Sequence, residues 1–215
     1  MSLTVNEIFA SIQGESSHAG RPCVFIRLTG CNLRCSYCDT RYAYEEGTQR
    51  EIAEIEQAVR SCGYPLVEVT GGEPLLQPET PALVRQLLAG GYTVLLETNG
   101  SLDIGAVDAR CCRIVDVKCP SSGQAEKNRL ENLALVTPND EVKFVIAERG
   151  DFDYARGVIA GRLSGRRDLK PLLFSPVYGR LDPELLARWI LAEHLDVRLQ
   201  IQLHKVLWHP ERRGV

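Results

Sequence analysis

Short apolar, β-rich runs recur along the chain with amphipathic segments between them, and this alternation constrains the fold more than any other feature. Residues 24–28, 66–69, 93–96, 114–117, 142–146, 172–174 and 197–203 read as strands. Between the first two lies a helix, with Thr48 and Glu51 as a capping box and Ile52, Ile55, Val59 and Cys62 on one stripe. Residues 81–89 read as the next helix, closed by Gly90 and Gly91. Further helices are expected over 130–136, 152–163 and 183–195, the last capped by Asp182 with Pro183 in its first turn. The segment 161–168 reads as a solvated, arginine-rich loop.

Strand–helix alternation calls for right-handed crossovers and a parallel sheet. In 215 residues, too few for eight βα units, the natural version is an α/β fold with an incomplete TIM-type barrel of about six parallel strands. An open doubly wound sheet satisfies the same pattern. One domain over 1–215 is expected, with no repeat or low-complexity stretch. Its 25 basic and 28 acidic residues give a net charge of −3, which argues against a nucleic-acid surface. No apolar run exceeds four residues and the first residues lack the order of a secretory signal, so a soluble cytoplasmic protein without membrane attachment is expected.

In such folds the carboxyl ends of the strands carry the chemistry. Here they carry Gly30 to Thr40, then Thr70-Gly71-Gly72-Glu73-Pro74, Glu97 to Gly100, Lys118 to Gly123 and Ser175 to Tyr178. Three of the eight cysteines, Cys31, Cys35 and Cys38, lie in the first of these loops, where three thiolates can reach one soft metal centre. Zinc normally completes four ligands, and no second pair lies near in sequence; spacing alone leaves an iron–sulfur cluster and zinc both open. Cys23, Cys62, Cys111, Cys112 and Cys119 are scattered and read as small buried hydrophobes.

Cys-x3-Cys-x2-Cys followed one strand later by Gly-Gly-Glu-Pro resembles the radical S-adenosylmethionine (SAM) superfamily. The resemblance implies a [4Fe-4S] cluster on Cys31, Cys35 and Cys38, with SAM chelating the fourth iron and cleaved to a 5′-deoxyadenosyl radical. It also implies a cofactor lined by Tyr37, Cys38, Asp39 and Gly72, with Asp116, Val117, Lys118, Ser121, Ser175, Pro176, Val177 and Tyr178 as further contacts.

The segment Ile8 to Glu15, Arg27 and Gln202-Leu203-His204-Lys205 extend the match, which then resembles the 7-carboxy-7-deazaguanine synthase family from about Val5 to Pro210. That family converts 6-carboxy-5,6,7,8-tetrahydropterin to 7-carboxy-7-deazaguanine with loss of ammonia. The resemblance implies substrate contacts from Ile12, Gln13, Gly14, Glu15, Arg27, Thr70 and Pro210, a Mg2+ ion on Thr40, a homodimer, and an external electron donor such as a flavodoxin or ferredoxin. Residues 1–22 would be a substrate-contacting amino-terminal extension and 204–215 a carboxyl-terminal tail. Glu97 and His204 are further residues expected near the mouth, His204 as a structural histidine.

Two positions depart from the family pattern. Ser16 stands where the family commonly has glycine, so either the backbone freedom of that glycine is dispensable here or the loop differs. Residues 211–215 extend past Pro210, near which family members often end. A glycyl-radical activase shares the cysteine loop, and a non-catalytic zinc module shares the three thiols; the polar set around Gln13 and Arg27 favours the pterin enzyme.

Overall fold

The computed structural model describes residues 1–215. In chain order its elements are β1 (Ser2–Ile12), β2 (Pro22–Leu28), β3 (Thr48–Glu51), α1 (Ile52–Cys62), β4 (Leu66–Gly71), α2 (Thr80–Ala89), β5 (Thr93–Thr98), β6 (Cys112–Val117), β7 (Glu141–Ile146), α3 (Arg149–Arg162), β8 (Leu172–Pro176), α4 (Pro183–Ala192) and β9 (Val197–Leu199). All strands join one sheet in the order β3-β1-β2-β4-β5-β6-β7-β8-β9. β2, β4, β5, β6, β7, β8 and β9 pair in parallel, while β1 runs antiparallel to both β2 and β3.

Each central strand is buried on both faces, so the sheet has an outer and an inner core. Outward residues such as Ile26, Val67, Val69 and Leu96 pack under α1 and α2. Phe144, Phe174 and Val117 do the same against α3 and α4. A small inner core of Cys23, Phe25, Leu66, Leu95, Cys112 and Ile114 fills the lower part of the curled sheet. Above it, the same alternating positions turn polar, with Arg27 on β2, Glu68 and Thr70 on β4, Glu97 on β5, Asp116 on β6 and Lys143 on β7. That change of character along the inner face creates the site.

Several expected elements differ. Residues 2–12, expected as an extension, form the long strand β1. Thr48 and Glu51 do not form a capping box: 48–51 is the edge strand β3, and the box is made by Glu51 and Glu54, whose side chain accepts from the Glu51 N–H. The expected helix at 130–136 is a 3-10 segment, Leu130–Ala134. The last strand stops at Leu199 rather than 203, and His204–Leu207 forms one helical turn. Cys23, Cys111, Cys112 and Cys119 are buried, and Cys62 packs half-buried against the outer core. No helix is long and apolar enough to cross a membrane.

Candidate active site

The cysteine loop leaves β2 at Leu28 and is clamped before it reaches its thiols. The Gly30 N–H donates to Ala43 O (2.8 Å), while Gly30 O accepts from the Glu73 N–H (2.7 Å). The Gly71-Gly72 segment therefore crosses directly over the loop's stem. A Cβ on Gly71, at φ +150, would lie 2.1 Å from Leu28 O; one on Gly72 would lie 2.2 Å from Gly30 O and 2.7 Å from Cys31 Cβ. Only glycine permits that approach. Glu73 locks the crossing: buried completely, it accepts from Thr98 Oγ1 (2.8 Å) and the N–H groups of Asn99 (2.6 Å) and Leu75 (3.0 Å). Burial pushes its carboxyl above the usual range despite these donors.

The far side of the loop is tied to the segment after β6. The Ser36 N–H donates to Ser122 O (3.0 Å) and Ser36 Oγ to Ser121 O (2.7 Å). Asp151, in the first turn of α3, in turn accepts from the Ser121 N–H. Cys31, Cys35 and Cys38 stand between these supports, reduced and part-exposed, on the wall of a cavity of about 810 Å³. Burial raises the pKa of the Cys31 and Cys35 thiols. Three thiols from one loop on one cavity wall are the donor set for a soft metal centre or an iron–sulfur cluster. Asp116 Oδ1 and Ser121 Oγ, both expected cofactor contacts, are buried without protein partners, which suits a polar ligand beside the thiols.

The same cavity is lined by Ile12, Gln13, Gly14, Glu15, Arg27, Tyr37, Asp39, Thr40, Thr70, Gly72, Asp116, Lys118, Val177, Tyr178 and Pro210 from the expected set, together with Glu97 and His204. Four expected residues do not line it. Val117 points into the outer core, Ser175 and Pro176 are buried within β8, and Ser121 lies behind the cysteine loop.

Arg27 bonds through Nε to Glu7 (2.8 Å) and lies within 6 Å of the Phe9 and Tyr42 rings, its guanidinium carbon 5.9 and 5.8 Å from the centroids. Its terminal nitrogens keep no protein partner. The burial that would lower its pKa is outweighed by Tyr42 and Glu7, which keep it charged. Gln13 is fixed at both ends, its Nε2 donating to Glu68 and its Oε1 accepting from the Glu15 N–H (2.9 Å). Gly14 lets His204 in, since a Cβ there would lie 2.2 Å from His204 Nδ1. Ser16 holds φ +63, a left-handed backbone that glycine adopts without strain, so the backbone freedom a glycine would give is used at this position. The tail also reaches the cavity: Arg213 stacks on Tyr42 at 3.8 Å and pairs with Glu46 (2.9 Å).

The sequence reading missed Glu68 and Lys143. Lys143 bridges Glu15 (2.5 Å) and Glu97 (2.6 Å). Although burial opposes ionisation, Lys143 holds Glu15 down to about 2, whereas burial keeps Glu97 above the usual range. The available signal was polar residues at alternate positions of strands otherwise apolar on both faces. One further group, His18, Cys112 and Glu141 at the edge of the inner core, brings ligand atoms within 4.8 Å. The Lys170 ammonium already sits 3.3 Å from Glu141 and 3.6 Å from Cys112 Sγ, and Arg21 holds His18, so that corner is satisfied by protein cations.

Comparison with known proteins agrees with this geometry. The radical SAM superfamily matches residues 25–159. The chain is 50% identical over 216 residues to the 7-carboxy-7-deazaguanine synthase of Chlorobaculum tepidum, covering 99% of this chain and 97% of that one. Against the protein of the same name from Koribacter versatilis it is 43% identical, covering 99% and 100%. The crystal structure of QueE from Escherichia coli matches with a TM-score of 0.79 over 95% of both chains at 21% identity, a likeness of fold.

Proposed function

We infer the division of labour in this pocket from the premise that the chain belongs to the 7-carboxy-7-deazaguanine synthase family of the radical SAM superfamily. It is a radical SAM enzyme of the 7-deazapurine and queuosine pathway, and family membership implies a [4Fe-4S] cluster, SAM and a pterin substrate. The reaction proposed is conversion of 6-carboxy-5,6,7,8-tetrahydropterin to 7-carboxy-7-deazaguanine with release of ammonia. The observation that carries it is the presence of three cysteine thiols and an arginine with unengaged terminal nitrogens in the lining of one cavity.

Cys31, Cys35 and Cys38 would hold the cluster, and Tyr37, Asp39, Gly72, Asp116, Lys118, Val177 and Tyr178 would border SAM, with Ser121 supporting the cysteine loop from behind. Val117, Ser175 and Pro176 could contribute only backbone or packing. When bound, cluster and SAM supply a carbon-centred radical able to take a hydrogen atom from substrate. Arg27 clamps the substrate carboxylate with its two terminal nitrogens, having been oriented by Glu7. Gln13, Glu15, Thr70 and the Ile12 and Gly14 backbone meet the polar ring edges. Thr40, whose hydroxyl has only a 3.8 Å contact to Cys38 Sγ, is free to serve Mg2+. Pro210 and the residues after it close the mouth.

We further propose that the enzyme is a cytoplasmic homodimer reduced by a flavodoxin or ferredoxin. The test is anaerobic reconstitution with iron and sulfide, then incubation with SAM, reductant and the carboxylated tetrahydropterin. About four irons per chain and a deazaguanine chromophore are expected; a colourless protein, or a cluster-loaded one that makes no deazaguanine, overturns the reading.

A further inference from the structure

Apart from Glu211 on the exposed tail, the carboxylates lining the cavity are matched with cations at all positions but one. Glu15 and Glu97 share Lys143, Asp116 pairs with Lys118 (2.7 Å) and Asp39 with Lys205 (2.6 Å). Glu68 pairs with none. Its Oε2 accepts from Gln13 Nε2, and its Oε1 has no protein hydrogen bond, although the residue is 3% exposed and lines the cavity. The groups facing it are Glu97 from β5, Glu15 and Gln13 from the β1–β2 segment, Lys143 from β7 and the Cys23 thiol from β2. One ammonium among three carboxyls offsets one charge and leaves two, and for Glu68, the carboxyl that no cation touches, a proton is the cheapest counter-charge.

We propose that Glu68 is a catalytic residue, the acid that delivers a proton to the nitrogen leaving the substrate. This rests on the pterin reading above. When the C–N bond breaks, its electron pair goes to nitrogen. The Glu68 O–H proton goes to the same nitrogen and ammonia departs. The resulting carboxylate takes the proton lost from the adjacent ring carbon as the five-membered ring becomes aromatic. Glu68 ends protonated, and no oxidant or reductant is consumed. Gln13 holds Oε2 in place, which leaves Oε1 to face the substrate. Burial, followed by the charges of Glu97 and Glu15, pushes the Glu68 carboxyl up to about 8, so it still carries its proton at neutral pH. A pKa near the working pH is what general acid catalysis requires.

The test compares the reconstituted wild type with Glu68→Gln and Glu68→Asp. Glutamine copies the shape and charge of the protonated acid, so the fold and iron content are retained while the transferable proton is lost. Ammonia and deazaguanine are followed across pH, with kcat separated from KM for the pterin. For the wild type, kcat/KM for the pterin falls as pH rises through about 8. Glu68→Gln is expected to lower kcat about 100-fold with little change in KM and to abolish that limb; Glu68→Asp recovers part of both. Infrared spectra of the same proteins at neutral pH should show a protonated-carboxyl stretch that Glu68→Gln removes. A Glu68→Gln enzyme that keeps wild-type kcat, or keeps the alkaline limb, overturns the role while leaving the pterin reading intact. A cluster-loaded wild type that makes no deazaguanine overturns both.

Discussion

Arg27 and Gly72 do their work by what surrounds them. Arg27 spends Nε on Glu7 and is flanked by Phe9 and Tyr42, so its remaining donors are pre-aimed before any ligand arrives. Removing the partner of a desolvated carboxylate costs about 2–5 kcal/mol. Arg27→Ala should therefore raise KM for the carboxylated pterin steeply while leaving SAM cleavage without substrate nearly unchanged; equal losses in the two assays would reject the clamp. Gly72 is constrained by backbone. Because a Cβ there would collide with Gly30 O and Cys31 Cβ, neither of which is the flexible end of a side chain, Gly72→Ala must displace the cysteine loop. The expected result is a folded protein that binds clearly fewer than about four irons per chain, measured by iron analysis after anaerobic reconstitution.

At the scale of elements, the turn after β4 depends on Glu73, which ties the ends of β4 and β5 together through three donors. Glu73→Ala leaves a hydroxyl and two N–H groups without acceptors in a dry interior, at about 1–3 kcal/mol for each group that water cannot reach. A loss of about 3 kcal/mol in denaturant unfolding is expected, with Glu73→Gln losing less because its amide oxygen still accepts. The Gly-Gly-Glu-Pro sequence marked this turn, but the acceptor role of Glu73 depends on where β5 ends, which no local pattern states. The central strands were legible because their burial on both faces writes an apolar run. β1 was not, since a register irregularity between Val5 and Glu7 breaks the alternation that would reveal a half-buried strand. β3 has no apolar residue at all; Thr48-Gln49-Arg50-Glu51 is a strand only because β1 offers its backbone a partner. Without that partner in view, the same residues look like a helix start. The thiol loop and Arg27 were readable from motif and resemblance, whereas the left-handed backbone at Ser16 was not, because a serine there does not announce it.

Over the whole molecule, the charges inside the curled sheet set how stability depends on pH. Glu15 and Glu68 act in opposite directions. The Glu15 carboxyl is held at about 2 against an ordinary value of 4.5, so its contribution is present above pH 4.5 and disappears as pH falls through about 2. Glu68 is raised from 4.5 to about 8, so the folded state accommodates it freely below pH 4.5 and loses stability as pH rises from there through about 8. At 1.36 kcal/mol per pH unit the Glu68 penalty at alkaline pH is on the order of 5 kcal/mol, and the opposite Glu15 contribution on the order of 3 kcal/mol. Glu68→Gln deletes the first and spares the second. Its Tm should match the wild type near pH 4.5, rise above it at pH 7 and exceed it most beyond pH 8, with both proteins holding the same iron. A Tm difference that stays flat over this range would mean that Glu68 is ionised in the folded protein, and that the cavity carries one more negative charge than its geometry implies.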